Sequence, residues 1–317
     1  MFFSSQLLFL SLITLSAVLA LSSRSRVFIW VILEVNIIAF LPLISREDRV
    51  FRSDSALKYF VSQRAASVIF LSSYLIINSY WPASFIIFLS MVFKTGLAPF
   101  HGWIVRIFFS ADLITLLLIG TIQKAIPLHV LSNSSICPEW LTILVLLNSA
   151  LLILLSKGAA GVRLVLLLSS IANGLWLLRS MFASARWLKF LFIYALITGT
   201  AVFFLIQSRS LKPAHLSAIP PLTKGFLRAN FLSLGGLPPF LGFLPKLIIL
   251  KALASAGISR LIALIILPSL IILWTYLALT LRLYSVRPGA PLRDSSAPSS
   301  VIIVGALILF TPLAFLL

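Results

Sequence analysis

The sequence has 317 residues, of which 61% are hydrophobic and only 10% are charged, and its formal net charge is +18. With a mean hydropathy of +1.14, this composition excludes an ordinary soluble globular protein and predicts an integral membrane protein. A charge of +18 would suggest nucleic-acid binding in a polar chain. Here the basic residues fall mostly between apolar runs, where they orient helices and meet anionic lipid. The single cysteine, Cys137, excludes an internal disulfide and a cysteine-ligated cluster.

Apolar runs long enough to cross a bilayer recur along the whole chain. A membrane-spanning helix needs about 20 apolar residues. The sequence therefore predicts an all-α, polytopic membrane protein with eleven transmembrane helices, at 2–21, 27–44, 56–77, 83–106, 111–131, 140–155, 161–178, 187–207, 225–256, 259–283 and 301–317.

The basic residues of the connecting segments predict the orientation of these helices. Fourteen of them fall on the side of the N-terminus and seven on the other side. Cytoplasmic-type loops carry the excess of lysine and arginine. The N-terminus is therefore expected on the positive side, and the C-terminus, eleven crossings later, on the opposite side.

Two predicted helices are interrupted by related glycine- and proline-rich segments. Gly96–Trp103 and Gly236–Phe243 share five of eight residues, and they lie in the fourth and ninth predicted helices. An offset of five helices reverses the direction of the chain across the bilayer, which is the arrangement of inverted repeats in many secondary transporters. We predict one repeat at 1–131, a second at 140–283 and an additional helix at 301–317. Similar packing chemistry without duplication is the alternative.

The predicted spans contain few charged residues. Glu34 is the one acid expected inside a span, and its natural partner is a buried lysine, although a purely structural ion pair is the alternative. Lys94, Lys124 and Lys246 also lie within spans, each close to a proline that opens the helix to water. Such lysines suit a proton relay, since moving a charge beside them switches their protonation. Snorkelling anchors are the alternative, and Arg64 is expected to snorkel.

Two histidines are weaker candidates for the same relay. His101 follows the first break and His129 follows Lys124, and an imidazole can pass protons near neutral pH. Either could instead be an ordinary interfacial residue. The sequence shows no histidine pair at metal spacing, no phosphate-binding glycine loop and no nucleotide fingerprint, so no redox centre or ATPase site is expected in this chain.

Four segments resemble, in order and spacing, the antiporter-like subunits of mitochondrial respiratory complex I, the NADH:ubiquinone oxidoreductase. They are Leu33–Asn36, Lys94–His101, Gln123–Pro127 and Leu232–Lys246. The resemblance covers most of the chain, and eleven helices fit the animal form of one such subunit. It implies that Glu34 and Lys94 form a switching ion pair, that Lys124 is the central relay lysine and that Lys246 is the terminal one. Asn173 stands where many relatives have a histidine, which puts a relay role at that position in doubt.

The resemblance also implies a function, a set of partners and a location for the chain. The chain would translocate protons in the membrane arm and bind no cofactor itself, since NADH, FMN, the Fe–S clusters and ubiquinone belong in or near other subunits. Expected partners are complex I subunits 4L and 4, accessory subunits and lipids such as cardiolipin, with no nucleic acid. The expected location is the mitochondrial inner membrane, with the N-terminus in the matrix and the C-terminus in the intermembrane space. The alternatives are a stand-alone cation/proton antiporter of the same fold and a scaffold that does not pump.

Overall fold

A computed structural model describes residues 2–45, 50–75, 80–134, 137–158, 161–183, 187–207, 221–255 and 259–285. All the regular structure in these ranges is α-helical, which confirms the predicted fold class. The helices are α1 (Phe2–Ser22), α2 (Arg26–Ile44), α3 (Val50–Leu75), α4 (Tyr80–Thr95), α5 (Gly102–Ser110), α6 (Leu113–Gly120), α7 (Ile122–Ser132), α8 (Pro138–Ser156), α9 (Val162–Ala183), α10 (Trp187–Gln207), α11 (Pro221–Gly235), α12 (Phe243–Ser255) and α13 (Ser259–Ser285).

The helices have the apolar surfaces of a multi-pass membrane protein. Six helical segments within the described ranges are long and apolar enough to cross a bilayer. Large apolar side chains are widely exposed on the helices, among them Val18, Leu154 and Trp274 at 62%, 67% and 72%. Lipid can cover such a surface without the cost that water would impose. The first ten predicted spans each contain helix, and the eleventh, 301–317, lies outside the described residues. The number of crossings and the inverted repeats therefore stay predictions.

The chain forms two compact units, Met1–Leu144 and Val145–Leu317. In the first unit α3 is central, because it packs against α2, α4 and α5. Helix α7 packs against α1 and α4. An aromatic chain supports this core, with the ring of Tyr59 lying 5.2 Å from that of Phe40 and 5.8 Å from that of Trp103. The helices that carry Glu34 and Lys94 thus both contact α3.

In the second unit α9 is central and packs against α10, α12 and α13. Helix α11 packs against α10 and α13. Every residue of α9 from 165 to 180 is buried. The helix extends beyond its predicted end at 178 and so takes Arg179 into the interior, where 3% of its surface is exposed.

The two predicted breaks are present, and each begins at a left-handed glycine. Gly96 follows α4 with φ 70°, and Gly236 follows α11 with φ 84°. Glycine adopts this conformation without the steric cost that a Cβ atom brings. A further break separates α6 from α7 at Thr121, inside the segment predicted as one helix at 111–131. The side chain of Thr121 donates a hydrogen bond to the carbonyl of Leu117 at 2.6 Å, which ends α6.

Candidate functional site

Three buried lysines lie beside the three helix breaks. Lys94 is in the last turn of α4, Lys124 is the third residue of α7 and Lys246 is the fourth residue of α12. Their exposed fractions are 5%, 3% and 8%. Helix ends carry backbone groups without intrahelical partners. The breaks therefore place backbone N–H and C=O groups that lack intrahelical partners near these three ammonium groups.

Lys94 contacts the central helix of the first unit. Its Nζ atom donates a long hydrogen bond, 3.4 Å, to the carbonyl oxygen of Gln63 on α3. In return Nε2 of Gln63 donates to the carbonyl oxygen of Lys94, also at 3.4 Å. This carbonyl belongs to the last turn of α4, where it has no partner further along the helix. Gln63 therefore holds both the ammonium group and the helix end.

Lys94 and Lys124 line the same small cavity in the first unit. Its volume is about 10 Å³, which is close to the space that one water molecule needs. The polar residues of its lining include Tyr59, Gln63, Thr95 and Gln123. The side chains of the two lysines and of these polar residues therefore adjoin the same space.

The amide groups at this cavity also connect the surrounding helices. Nε2 of Gln123, next to Lys124, donates to Oδ1 of Asn36 on α2 at 2.6 Å. Asn36 is 2% exposed. Because a buried amide without a partner is costly, this bond fixes α7 against α2. Gln123 thus has two roles, since it lines the cavity and anchors the helix of Lys124.

The sequence predicted an ion pair between Glu34 and Lys94. In the structure, the direct ion pair of Glu34 is with Arg64. Nη1 of Arg64 lies 3.0 Å from Oε2 of Glu34. Oγ of Ser67 donates to Oε1 at 2.5 Å. Arg64 and Ser67 are three residues apart on α3 and therefore face α2 together. The snorkelling of Arg64 stays a prediction, and its guanidinium group lies beside this carboxylate.

The second unit holds Lys246 in a different polar pocket. Its Nζ atom donates to the carbonyl oxygen of Gly235, the last residue of α11, at 3.0 Å. A cavity of about 10 Å³ adjoins it, with Asn173, Tyr194 and Ser233 in the lining. Asn173 thus contributes a polar side chain at the position of the relatives' histidine.

The two candidate histidines lie away from these cavities. His101 precedes α5, and its Nδ1 atom is buried without a hydrogen-bond partner among the described residues. His129 is in the last turn of α7, where its Nε2 atom is 3.2 Å from Nδ2 of the exposed Asn133. Neither lines the cavity that Lys94 and Lys124 share. Their relay roles stay predictions.

Several residues around the lysines were not predicted from the sequence. Tyr59, Gln63 and Ser67 recur every four residues on α3 and therefore form one polar stripe. That spacing could have been read from the sequence. Arg64, next to this stripe, could have been suspected as a partner of Glu34. No group of three or more His, Cys, Asp or Glu side chains within the described ranges could hold a metal ion.

Comparisons with known proteins identify the family of this chain. Residues 78–271 match the family model for the transmembrane part of the NADH:quinone oxidoreductase/Mrp antiporter subunits. NADH-ubiquinone oxidoreductase chain 2 of Peropteryx kappleri is 31% identical over 86% of this chain and 85% of its own length. The protein of the same name from Locusta migratoria is 29% identical over 87% and 84%.

A solved structure of respiratory complex I from Thermus thermophilus contains a chain with a similar fold. The TM-score is 0.81 at 22% identity, and the similarity covers 97% of this chain and 77% of that one. At this identity the comparison establishes the fold.

Proposed function

Because the chain belongs to the NADH:quinone oxidoreductase/Mrp antiporter transmembrane family, we propose that it is a proton-translocating membrane-arm subunit of an NADH:ubiquinone oxidoreductase. The observation that carries this proposal is the burial of Lys94, Lys124 and Lys246 beside three helix breaks. Ionisable side chains at membrane depth are costly and are typically retained on proton or ion pathways.

The proton path we propose begins in the first unit. Glu34 modulates Lys94, and Lys94 exchanges a proton with Lys124 across their shared cavity. Lys246 is the terminal relay group in the second unit. Two opposite unit charges about 4 Å apart interact by about 4 kcal/mol at an effective dielectric constant of 20. Making or breaking one ion pair at Glu34 is therefore strong enough to change which groups beside it hold protons.

The redox reaction belongs to other subunits in this proposal. NADH oxidation and ubiquinone reduction occur elsewhere, with FMN and the Fe–S clusters, and this chain uses the released energy. Its direct partners are the neighbouring membrane subunits, namely 4L and 4, with accessory subunits beside them. The complex lies in the mitochondrial inner membrane, with the N-terminus of this chain in the matrix. A protease-accessibility assay on a tag at Met1 tests that orientation.

Anionic lipids such as cardiolipin are further proposed partners. An apolar groove of about 490 Å³ in the first unit is lined by Leu57, Val61 and Phe93, among others. Lys58 and Arg106 also line it. An acyl chain suits the apolar part and a phosphate group suits the two cations.

The substitution Lys246→Ala in the assembled complex tests the proposed function. We expect NADH oxidation to become uncoupled or slow, with fewer protons translocated per electron, because the second unit loses its buried titratable group. Lys251→Ala is the matched control, since Lys251 lies on the same helix but is exposed. A normal proton-to-electron ratio in Lys246→Ala would refute the relay and favour a scaffold that does not pump.

A further inference from the structure

Arg64 is the charged residue near the proposed relay that the relay does not use. It lies in α3 eleven residues before the helix ends at Leu75, or roughly 16 Å along the axis. Its guanidinium group lies over the ring of Phe60, 5.1 Å from the centroid, and beside Glu34. Glu34 is near the middle of α2, so the pair is far from the ends of both helices.

The pair is close but incompletely bonded. Nη1 of Arg64 approaches Oε2 of Glu34 to 3.0 Å, yet Oε2 is buried and accepts no hydrogen bond within the described part of the chain. Nε of Arg64 is likewise buried without an acceptor there. By contrast, Oε1 receives the hydroxyl group of Ser67 at 2.5 Å. One carboxylate oxygen is therefore fixed, and the other remains open to a better donor.

Lys94 is the second cation available to that oxygen. It contacts α3 through the carbonyl of Gln63, the residue immediately before Arg64, and this bond is long at 3.4 Å. Adjacent residues of α3 thus hold the two groups that the sequence predicted as partners. Exchanging Arg64 for Lys94 would replace a poorly aligned contact and a long hydrogen bond with one charge-assisted bond.

We propose that Arg64 is a positioning residue that competes with Lys94 for Glu34. With Glu34 held by Arg64, Lys94 has its weak contact with Gln63 and can release its proton towards Lys124. When Glu34 turns to Lys94, the ammonium form is retained. The side chain of Arg64 is 44% exposed and that of Glu34 only 13%, so a charge on a neighbouring subunit would meet Arg64 first. This inference rests on the proposed function.

Three variants of the assembled complex test the competition. Arg64→Gln removes the competing cation, and we expect the same loss of proton-to-electron ratio that Lys94→Ala causes, with Glu34 drawn to Lys94. Arg64→Lys restores a cation and should recover most of the ratio, which a purely structural role of the guanidinium group would not allow. Arg26→Gln is the control, because Arg26 is exposed and is the first residue of α2, eight residues before Glu34.

The possible results separate this inference from the proposed function. If Lys94→Ala translocates protons normally, the proposed function fails at this site. If Lys94→Ala loses the ratio while Arg64→Gln keeps it, only the competition is refuted. Maps of the unmodified complex, at rest and during turnover, cover the case in which Arg64→Gln does not assemble. Lys94 should come within about 4 Å of Glu34 in one of the two states. Glu34 remaining with Arg64 in both would overturn the inference.

Discussion

The two glycine–proline breaks begin alike, yet one lysine precedes its break in the sequence and the other follows its break. In both, a left-handed glycine follows a helix, and a phenylalanine amide donates to a leucine carbonyl three residues back, at 2.9 and 3.0 Å. Lys94 precedes its break, whereas Lys246 follows its own and reaches back to the carbonyl of Gly235. The ammonium group of Lys246 therefore lies at the C-terminal end of α11, whereas that of Lys94 contacts the carbonyl of Gln63 in the neighbouring helix α3. The C-terminal end of a helix carries unpaired carbonyls and partial negative charge.

The two breaks also differ in how tightly the second glycine of the shared motif is packed. Gly102 and Gly242 occupy the same position in the shared motif, but a Cβ atom at Gly102 would meet no described atom within 4 Å. At Gly242 it would lie 1.9 Å from the carbonyl oxygen of Ser233. The second break folds closely against the end of α11, which lets Lys246 return to Gly235. The comparison teaches that a shared motif conserves the start of the break but not the packing of its end.

The largest expected effect is a loss of stability that Gly242→Ala causes and Gly102→Ala does not. Gly242→Ala forces a methyl group into the backbone of α11, and overpacking of this kind costs typically 1–3 kcal/mol and sometimes more. We expect strongly reduced assembly and a lower inactivation temperature of the solubilised complex. Gly102→Ala should change neither by more than the experimental error. Equal effects of the two substitutions would show that the breaks pack alike.

An intermediate effect is expected from substitutions at the two left-handed glycines, Gly96 and Gly236. Gly96→Ala and Gly236→Ala both place a Cβ atom in the left-handed region, which costs about 1–2 kcal/mol. At Gly236 the new atom would also lie 2.8 Å from Nζ of Lys246, whereas at Gly96 it meets Trp103 and Ile104. Both variants should be less heat-stable, but we expect only Gly236→Ala to reduce proton translocation among the complexes that assemble. Identical proton-to-electron ratios would contradict the placement of Lys246.

The smallest effect concerns the hydrogen bonds between helices in each unit. In the second unit Thr200 donates to Oδ1 of Asn230 at 2.7 Å, and in the first Gln123 donates to Asn36 at 2.6 Å. Thr200→Val and Asn36→Leu should each cost about 1 kcal/mol of stability, measured as residual activity after heating. Because Gln123 also lines the lysine cavity, Asn36→Leu should in addition slow proton translocation. A kinetic effect of Thr200→Val of the same size would argue against the special role of Gln123.

Much of the fold and part of the site could be predicted from the sequence. Long apolar runs predicted helices, since the hydrocarbon of a bilayer leaves few other structures possible. The glycines and prolines at Gly96 and Gly236 predicted the breaks, because few other residues tolerate that backbone. The break at Thr121 was missed, since Gly120 alone is a weak signal within an apolar run. The pairing of Glu34 with Arg64 was missed as well, because the mutual orientation of α2 and α3 determines which cation is nearer.

The sequence by itself determined that this chain is a helical membrane protein with a few charged residues at membrane depth. Those properties follow from local composition, because each residue's preference for lipid and each proline's effect on a helix act wherever the chain goes. The tertiary structure decided that Lys94 and Lys124 share a cavity, that Lys246 returns to the end of α11 and that Arg64 holds Glu34. Such contacts depend on distances of a few ångströms between helices far apart in sequence, and these distances follow from how whole helix faces pack.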